Sequence, residues 1–309
     1  MGKRLALVGV GKWGANFLRT VVETHRDEIT LIVSTQSREK LDAIARHNAR
    51  LILSISQIDA YLNEIDVAIV ATPPDVRPTI VRKFLRHGVP VLAEKPLSFH
   101  AETSTELVHL ARTTGVRLIE DFIHLYSWPY LLIQEQLAIH PPILIESEGG
   151  NWGPFRDYSP LFDYAPHDLA MALQVFSRMP DRIHLDLGEL KNKLAFTANI
   201  KLDFAELGTA KIAISNISPG RIRRFRLEQK DNCWIYDDNN TAKLTRNGLA
   251  QSSTLDSRSP MQLLLDHFCE RKQYYEDNKT LWLSQSVAEV LQILGNQYDT
   301  IINDGQHRV

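Results

Sequence analysis

Hydrophobic and polar positions follow two different patterns along the chain. Over the first 120 residues, short apolar runs rich in β-branched residues alternate with longer stretches of helical period. The run DVAIVA at 66–71 has almost no polar position, which is typical of a strand buried on both faces of a parallel sheet. The alternation predicts a doubly wound parallel sheet with right-handed crossovers. The predicted strands are 4–8, 30–34, 51–53, 66–71, 89–93 and 116–120, and the predicted helices are 13–23, 38–47, 55–62, 78–87 and 101–114.

Beyond about residue 140 the apolar runs follow one another without long helices between them. This pattern predicts an antiparallel sheet within an α+β domain, with turns at 237–240 and at Asn247-Gly248. The likeliest boundary between the two patterns is Asp121, which divides the chain into 1–121 and 122–309. The predicted strands are 143–149, 195–204, 209–217, 222–229, 234–236 and 242–245, with helices at 169–176, 261–271 and 281–302.

Composition excludes several classes of protein. The 309 residues include 35 Lys and Arg against 37 Asp and Glu, so the formal charge is −2 and no overall basicity favours nucleic acid. A hydrophobic fraction of 44% and a mean hydropathy of −0.20 indicate a folded globular chain. No apolar run approaches the roughly 18 residues of a membrane span. We therefore predict neither a nucleic-acid partner nor a membrane partner.

Two further features favour a cytoplasmic location. Cys233 and Cys269 are too few for a disulfide scaffold and are interpreted as reduced thiols, although a disulfide between them stays open. The basic start and the apolar run 5–8 resemble a signal peptide, but Lys12 interrupts the run and no small-residue cleavage site follows.

The strongest local motif lies between the first strand and the first helix. In the sequence Gly9-Val10-Gly11-Lys12-Trp13-Gly14, Gly9 allows a tight turn, Gly11 lets a pyrophosphate approach the backbone, and Gly14 lets helix and strand pack closely. The helix N-terminus offers free N–H groups to the phosphates. We predict dinucleotide contacts at Gly9, Gly11, Lys12, Trp13 and Gly14. The alternative is a glycine-rich turn without a ligand.

The end of the second strand bears on the choice of dinucleotide. An NAD enzyme places a carboxylate there to bind the ribose hydroxyls, and the stretch 33–38 contains none. Hydroxyl groups and a guanidinium suit a 2′-phosphate, so Ser34, Thr35, Ser37 and Arg38 are predicted cofactor contacts and favour NADP, with NAD possible. The alternative is that Arg38 is a solvated residue at a helix start.

Two clusters carry candidate acid–base chemistry. Glu94-Lys95-Pro96 follows an apolar strand, where ligands of open α/β sheets lie, although such a pair is often a surface ion pair. Asp163 and His167 share a face if the helix begins early, and a carboxylate that orients an imidazole is typical of a general base. Taken alone, this second cluster could equally be a helix cap.

The chain resembles the Gfo/Idh/MocA oxidoreductase family in an ordered set of segments. In chain order these are the glycine motif, Ala71-Thr72-Pro73-Pro74, Glu94-Lys95-Pro96 and DxxxHD at 163–168. The resemblance implies that Lys95, Asp163 and His167 are catalytic, and cofactor contacts are also predicted at Thr72, Pro73, Glu94 and Lys95. It implies a dinucleotide-binding Rossmann domain (1–121) and a substrate-binding and oligomerisation domain (122–309) with an open, mostly antiparallel sheet. A homodimer or homotetramer is expected.

The chain departs from the family in two places. Arg77 stands where the family often has a histidine after Ala-Thr-Pro, and His124 stands where an Asn or Arg is common. His124, Trp152 and Arg156 are predicted to bind substrate with Asp163 and His167, although His124 could be a core histidine and Trp152 a packing residue. No metal is predicted, because His124, Asp163 and His167 lack a recognised ligand spacing.

The resulting hypothesis is hydride transfer between a nicotinamide and a CH–OH or C=O carbon of a sugar, sugar derivative or nucleotide sugar. The alternatives are a reductase of a biliverdin-type or dihydrodiol-type substrate, and a dinucleotide-sensing protein without catalysis. The complete set of Lys95, Asp163 and His167 favours chemistry at a carbinol.

Overall fold

The computed structural model describes residues 3–24, 29–34, 50–52, 55–137, 143–255, 257–269 and 274–306. The chain forms two units, one of residues 1–121 with 261–288 and the other of residues 122–260 with 289–309. The sequence-based division placed 261–288 in the second part, whereas here they pack in the first unit. Leu281 joins its apolar core, and Arg117 donates hydrogen bonds to the carbonyls of His267 and Phe268.

A parallel six-stranded sheet forms the first unit, in the order β3-β2-β1-β4-β5-β6. Every residue of β4 is buried, as its unbroken apolar run predicts. The order reverses at β1, which pairs with β2 on one side and β4 on the other, and ligands of doubly wound sheets bind at such a switch point. The predicted Rossmann topology is confirmed. The strands are β1 (Lys3–Val8), β2 (Ile29–Ser34), β3 (Arg50–Ile52), β4 (Val67–Val70), β5 (Val91–Ala93) and β6 (Leu118–Glu120).

The helices that follow these strands begin and end close to their predicted bounds. The fourth ends at Gly115, whose φ of +66° is a left-handed conformation that favours glycine. The predicted helix 38–47 lies outside the described residues. The helices are α1 (Lys12–Thr24), α2 (Ile55–Ile58, continued by a 3-10 turn at Asp59–Glu64), α3 (Arg77–Arg86) and α4 (Ala101–Thr114); later in the chain come α7 (Pro260–Cys269) and α8 (Tyr274–Gln306).

The second unit contains a mixed eight-stranded sheet in the order β14-β13-β12-β11-β7-β10-β9-β8. Neighbours are antiparallel except β7 and β10, which confirms the mostly antiparallel prediction. The strands are β7 (Leu144–Trp152), β8 (Arg182–Asn192), β9 (Ala195–Asp203), β10 (Thr209–Ser215), β11 (Ile217–Glu228), β12 (Cys233–Asp237), β13 (Leu244–Arg246) and β14 (Leu249–Ala250).

Two helices of the second unit differ from the prediction. The helix α5 (Trp128–Leu137) was not predicted, and α6 (Pro160–Phe176) begins well before the predicted start at 169. Ser159 caps α6, because its hydroxyl accepts a hydrogen bond from the Leu161 N–H at 3.3 Å, and Pro160 occupies the first helical position. The early start matters because it brings residues 160–168 into one regular helix that packs on β7 and β10.

Candidate active site

The glycine-rich turn connects β1 to α1. Gly9 has a φ of +91°, and a Cβ there would lie 2.7 Å from the Ala71 carbonyl oxygen. A Cβ on Gly14 would overlap the Gly9 carbonyl, so both glycines are required by backbone packing. A Cβ on Gly11, in contrast, would meet no atom within 4 Å. Gly11 therefore leaves open space beside the helix N-terminus.

The surroundings of this turn fit an anionic cofactor. The first turn of α1 contains no acidic residue, and Lys12 and Trp13 are exposed. The free N–H groups and the positive end of the helix dipole thus meet no competing carboxylate. Within the described residues, the buried hydroxyl of Thr72 has no hydrogen-bond partner, which suits a ligand contact beside Pro73. Ser34 is buried at the end of β2, whereas Thr35, Ser37 and Arg38 lie outside the described residues, so their proposed role stays a prediction.

Arg77 links the loops that follow β4 and β5. Its side chain is only 3% exposed, and its guanidinium donates hydrogen bonds to the carbonyl oxygens of Thr72 and Pro96. Its backbone N–H donates to the Pro73 carbonyl at 3.0 Å. In the sequence, Arg77 is only a departure from the family pattern. In the structure, it holds together the two segments predicted to contact the cofactor.

The Glu94-Lys95-Pro96 segment leaves the sheet directly after β5. The Glu94 N–H donates to the Val70 carbonyl at 2.9 Å, so its backbone still pairs with β4, and its side chain is buried. The peptide bond between Lys95 and Pro96 is cis. Because the Glu94 side chain is buried, it does not form the surface ion pair that the sequence left open.

Two further buried carboxyl groups lie at the end of β6, Glu120 as its last residue and Asp121 directly after it, and sequence reasoning missed both. Glu120 accepts hydrogen bonds from the Leu97 N–H at 3.0 Å and from Ser284, and burial raises its pKa to about 8. Asp121 is fully buried, and neither carboxylate oxygen has a hydrogen-bond partner in the described part of the chain. Burial, and then the charge of Glu94, raise the pKa of Asp121, while Lys95 opposes this rise. Two consecutive acids at the end of an apolar strand were the available signal.

The second unit brings Asp163 and His167 onto one face of α6. They lie one turn apart, as the i,i+4 spacing requires. Asp163 accepts a hydrogen bond from Arg156 Nε at 3.3 Å. The His167 ring packs edge to face on the ring of His124, with centroids 4.8 Å apart. The structure thus brings Arg156 to Asp163 and His124 to His167, and His124 is partly exposed rather than a fully buried core residue.

Trp152 lies on an exposed part of the same unit. It is 56% exposed, so it is not a core packing residue. Its ring contacts the ring of Phe155 at a centroid distance of 5.8 Å, and Lys191 Nζ lies 4.7 Å from the Trp152 centroid. The Tyr164 hydroxyl donates to the Gly153 carbonyl at 2.6 Å, which holds the intervening loop against α6. The role of Trp152 in substrate binding stays a prediction.

Asp168, next to His167, belongs to a buried ion pair. Arg223 Nη1 lies 2.8 and 2.9 Å from its two carboxylate oxygens, and the Ser147 hydroxyl also donates to it. Burial raises the pKa of Asp168, and the charge of Arg223 opposes this rise. A Cβ on Gly149 would lie 3.0 Å from both partners. The pair fixes α6 on the sheet and so fixes the turn that carries His167.

Two features are absent from the described residues. No helix in this part of the chain is long and apolar enough to cross a membrane. No group of three or more His, Cys, Asp or Glu in the same residues could hold a metal ion. Cys233 and Cys269 are present as thiols.

The first unit matches a known family. Residues 3–122 match the model of the Gfo/Idh/MocA oxidoreductase family with an NAD-binding Rossmann fold. Inositol 2-dehydrogenase 1 of Mycolicibacterium vanbaalenii is 31% identical over 117 residues, which are 38% of this chain and 34% of that protein. Mouse biliverdin reductase A is 29% identical over 135 residues, 43% of this chain and 44% of that protein. The aligned residues therefore span a third to less than half of these relatives.

Solved structures resemble nearly the whole chain. A protein from Magnetospirillum magnetotacticum MS-1 that is described as an oxidoreductase superimposes with a TM-score of 0.85 at 25% identity. The superposition covers 94% of this chain and 99% of that one. UDP-N-acetylglucosamine 3-dehydrogenase GnnA from Acidithiobacillus ferrooxidans shares the fold, with a TM-score of 0.77 at 20% identity and coverage of 94% and 96%. The match to the Gfo/Idh/MocA oxidoreductase family thus covers the NAD-binding Rossmann domain at residues 3–122, and the solved structures extend the shared fold to nearly the whole chain.

Proposed function

We propose that this protein is an NAD(P)-dependent dehydrogenase or reductase that acts on a CH–OH or C=O carbon of a sugar, sugar derivative or nucleotide sugar. The observation that carries the proposal is the arrangement on α6, where Asp163 and His167 share a face, Arg156 binds Asp163, and His124 packs on His167. The relatives add support, since they include inositol 2-dehydrogenases and the NADP(+)-dependent scyllo-inositol 2-dehydrogenase IolU of Bacillus subtilis.

The cofactor is held by the turn after β1 and by the segments after β4 and β5. The N–H groups at the start of α1 and the hydroxyl of Thr72 would hold the dinucleotide, and the open space at Gly11 would let its pyrophosphate approach the backbone. When bound, the nicotinamide supplies or accepts the hydride. We infer a preference for NADP over NAD, because the stretch 33–38 offers hydroxyl groups and Arg38 but no carboxylate.

The acid–base work falls to three side chains. In the oxidation direction His167 takes the proton of the substrate hydroxyl, and Asp163 orients the imidazole and favours its charged form. Lys95 donates a hydrogen bond to the reacting oxygen, where it stabilises developing negative charge, and it supplies a proton in the reduction direction. The Arg156 guanidinium binds the Asp163 carboxylate and so partly balances its negative charge.

A reductase acting on a biliverdin-type substrate is the second candidate. The similarity to mouse biliverdin reductase A supports it, although that similarity covers only 43% of this chain. A linear tetrapyrrole has less need of an Asp–His pair, and this chain places such a pair on α6. The homo-oligomeric state and the cytoplasmic location also stay predictions.

The test is a substrate screen that follows nicotinamide absorbance. Purified protein is mixed with NADP or NAD and with inositols, sugars, nucleotide sugars, their keto forms and biliverdin. We expect turnover with a carbinol or its ketone. In the His167→Ala and Lys95→Ala variants, kcat should fall about 10²- to 10⁴-fold. In His167→Ala the dissociation constant of the dinucleotide should stay nearly unchanged.

Four outcomes would each contradict a part of the proposal. Turnover of biliverdin alone favours the second candidate. Near-normal kcat in both variants removes the roles given to Lys95 and His167. Dinucleotide binding without turnover of any compound favours a sensing protein, and tighter binding of NAD than of NADP overturns the cofactor preference.

A further inference from the structure

Two loops of the first unit meet at the side chain of Arg77. Arg77 is the first residue of α3 and is buried. Its Nη2 donates a hydrogen bond to the Thr72 carbonyl, after β4, and its Nη1 donates one to the Pro96 carbonyl, after β5. Because the two bonds come from different nitrogens of one guanidinium, a single side chain joins both loops.

The loop after β4 packs against the glycine-rich turn. A Cβ on Gly9 would lie 2.7 Å from the Ala71 carbonyl oxygen and 3.1 Å from the Thr72 methyl carbon. The Thr72 hydroxyl is buried and has no hydrogen-bond partner among the described residues, whereas the carbonyl of the same residue is bound by Arg77. Arg77 therefore fixes the residue whose hydroxyl is left for a ligand beside this turn.

The loop after β5 is held on both sides of Lys95. Before it, the Glu94 N–H donates to the Val70 carbonyl at 2.9 Å. After it, the Pro96 carbonyl accepts the hydrogen bond from Arg77. The Lys95 side chain between these two points is only partly exposed. The place of Lys95 at the end of β5 thus depends on one bond from the sheet and one from Arg77.

The chemistry of arginine suits this task. A guanidinium presents five N–H groups in a rigid planar fork and stays protonated in proteins. It can therefore hold two carbonyl oxygens at a set separation, whatever the pH. A lysine ammonium is a single point on a flexible stem, so it does not reproduce the fork.

We propose that Arg77 is a positioning residue that couples the two loops: it fixes Thr72 for dinucleotide binding and Lys95 for contact with the reacting oxygen. The meaning of this coupling for catalysis rests on the proposed function, but the hydrogen bonds that join the loops do not.

The first test measures how firmly Lys95 is held and needs neither dinucleotide nor substrate. The full chain is treated with an amine-directed acylating reagent, and acylation of Lys95 is quantified by peptide mass spectrometry relative to the exposed Lys211. In Arg77→Met, which removes both donors, the relative rate at Lys95 should rise about 3- to 10-fold. That range corresponds to the loss of one intramolecular hydrogen bond from the loop.

The second test measures the dissociation constants of NADP and NAD by titration of the same proteins. In Arg77→Met both constants should rise about tenfold, because Thr72 is no longer fixed. Thr72→Val removes the hydroxyl but keeps the carbonyl that Arg77 binds. It should raise the dissociation constants and leave the acylation of Lys95 unchanged, which separates the two loops.

Arg82→Met is the matched control. Arg82 lies on the same helix, and its guanidinium pairs with Glu106 through bonds of 2.7 and 2.8 Å. We expect its Lys95 acylation and its dinucleotide affinity to stay near those of the unmodified chain. Equal changes in the two arginine variants, or no change in Arg77→Met, overturn the proposal.

Arg77→Lys carries both measurements if Arg77→Met fails to fold. It keeps the positive charge but offers one nitrogen in place of the fork, so both readouts should lie between those of the unmodified chain and the large changes expected on loss of both donors. Values equal to those of the unmodified chain would show that charge alone is needed and would contradict the positioning role.

The acylation result is independent of turnover, so it can fail while the proposed function stands, and the reverse. If the substrate screen gives turnover, the kinetic constants add a readout. Arg77→Met should lower kcat through Lys95, whereas Thr72→Val should act mainly on the KM of the dinucleotide. A normal kcat in Arg77→Met with a raised KM would remove the Lys95 part of the proposal.

Discussion

Two buried aspartates, one in each unit, show how differently the same side chain can be used. Asp168 and Asp121 are both 0% exposed, and burial raises the pKa of each. Asp168 has Arg223 on both of its oxygens and the Ser147 hydroxyl as well. Asp121 has no hydrogen-bond partner in the described residues. The charge of Asp168 is therefore balanced by Arg223, whereas the Asp121 carboxyl group makes no hydrogen bond to the described residues.

The difference indicates which aspartate is architectural. A buried carboxylate that is fully paired fixes two elements relative to each other and has no capacity left for proton transfer. A buried carboxyl group without a partner contributes no such bond, and its burial is costly. Asp168 follows His167 in the chain and Asp121 directly follows β6, and the comparison assigns an anchoring role to Asp168 and not to Asp121.

The largest expected effect comes from breaking the Asp168 pair. Arg223→Met leaves Asp168 buried without its counter-ion, and we expect the free energy of unfolding to fall by about 3–5 kcal/mol. Chemical denaturation at neutral pH measures this loss. Arg178→Met is the matched control within the same unit, because Arg178 pairs with Asp181 at an exposed position. That change should cost no more than about 1 kcal/mol. Equal losses in the two variants would mean that the buried pair is not an anchor.

The contribution of Glu120 to the free energy of unfolding is intermediate in size and depends on pH. Its pKa is raised from 4.5 to about 8, so the folded state holds a proton that the unfolded state has released in this window. The stabilisation is therefore complete below about pH 4.5 and is lost as the pH rises through about 8, with a slope of at most about 1.4 kcal/mol per pH unit. Relative to the unmodified chain, Glu120→Gln should flatten the decline of the unfolding free energy between these values.

Glu106→Gln serves as the control for that pH series. Glu106 is 53% exposed and pairs with Arg82, and its pKa is lowered. The Glu106→Gln variant should leave the slope of the unfolding free energy against pH unchanged between pH 5 and 8. A slope that is the same in Glu120→Gln as in the unmodified chain would show that Glu120 is not buried as a neutral acid.

The parts of the fold that depend on local pattern were predicted from sequence. The glycine-rich turn is one example, because the positive φ of Gly9 and the close packing of Gly14 on Gly9 allow no other residue. The unbroken apolar run of β4 is another, since burial on both faces leaves no polar position. In contrast, β8 was missed because it is mostly exposed, with Leu185 its only buried residue, and so has little hydrophobic pattern.

The site was predicted only where its residues lie close together in the chain. The spacing of Asp163 and His167 identifies a shared helix face, although Pro166 hid the early start of α6. Arg77 and Asp121 could not be assigned, because their burial depends on side chains and loops contributed from other parts of the chain. The pairing of Asp168 with Arg223 likewise joins residues that are 55 positions apart in the chain.

The smallest expected effect is the one that best separates the two aspartates. Asp121→Asn removes a carboxyl group that makes no hydrogen bond to the described residues and replaces it with a neutral amide of nearly the same shape. We expect the free energy of unfolding at neutral pH to change by less than about 1 kcal/mol, because no buried partner is left unpaired. Asp168→Asn, in contrast, leaves Arg223 buried without its counter-ion and should approach the loss seen in Arg223→Met. Chemical denaturation of the two variants side by side makes the comparison. If Asp121→Asn lowers the free energy of unfolding as much as Asp168→Asn does, Asp121 is a structural anchor as well. Only a carboxylate that is paired in the folded state contributes that much stability.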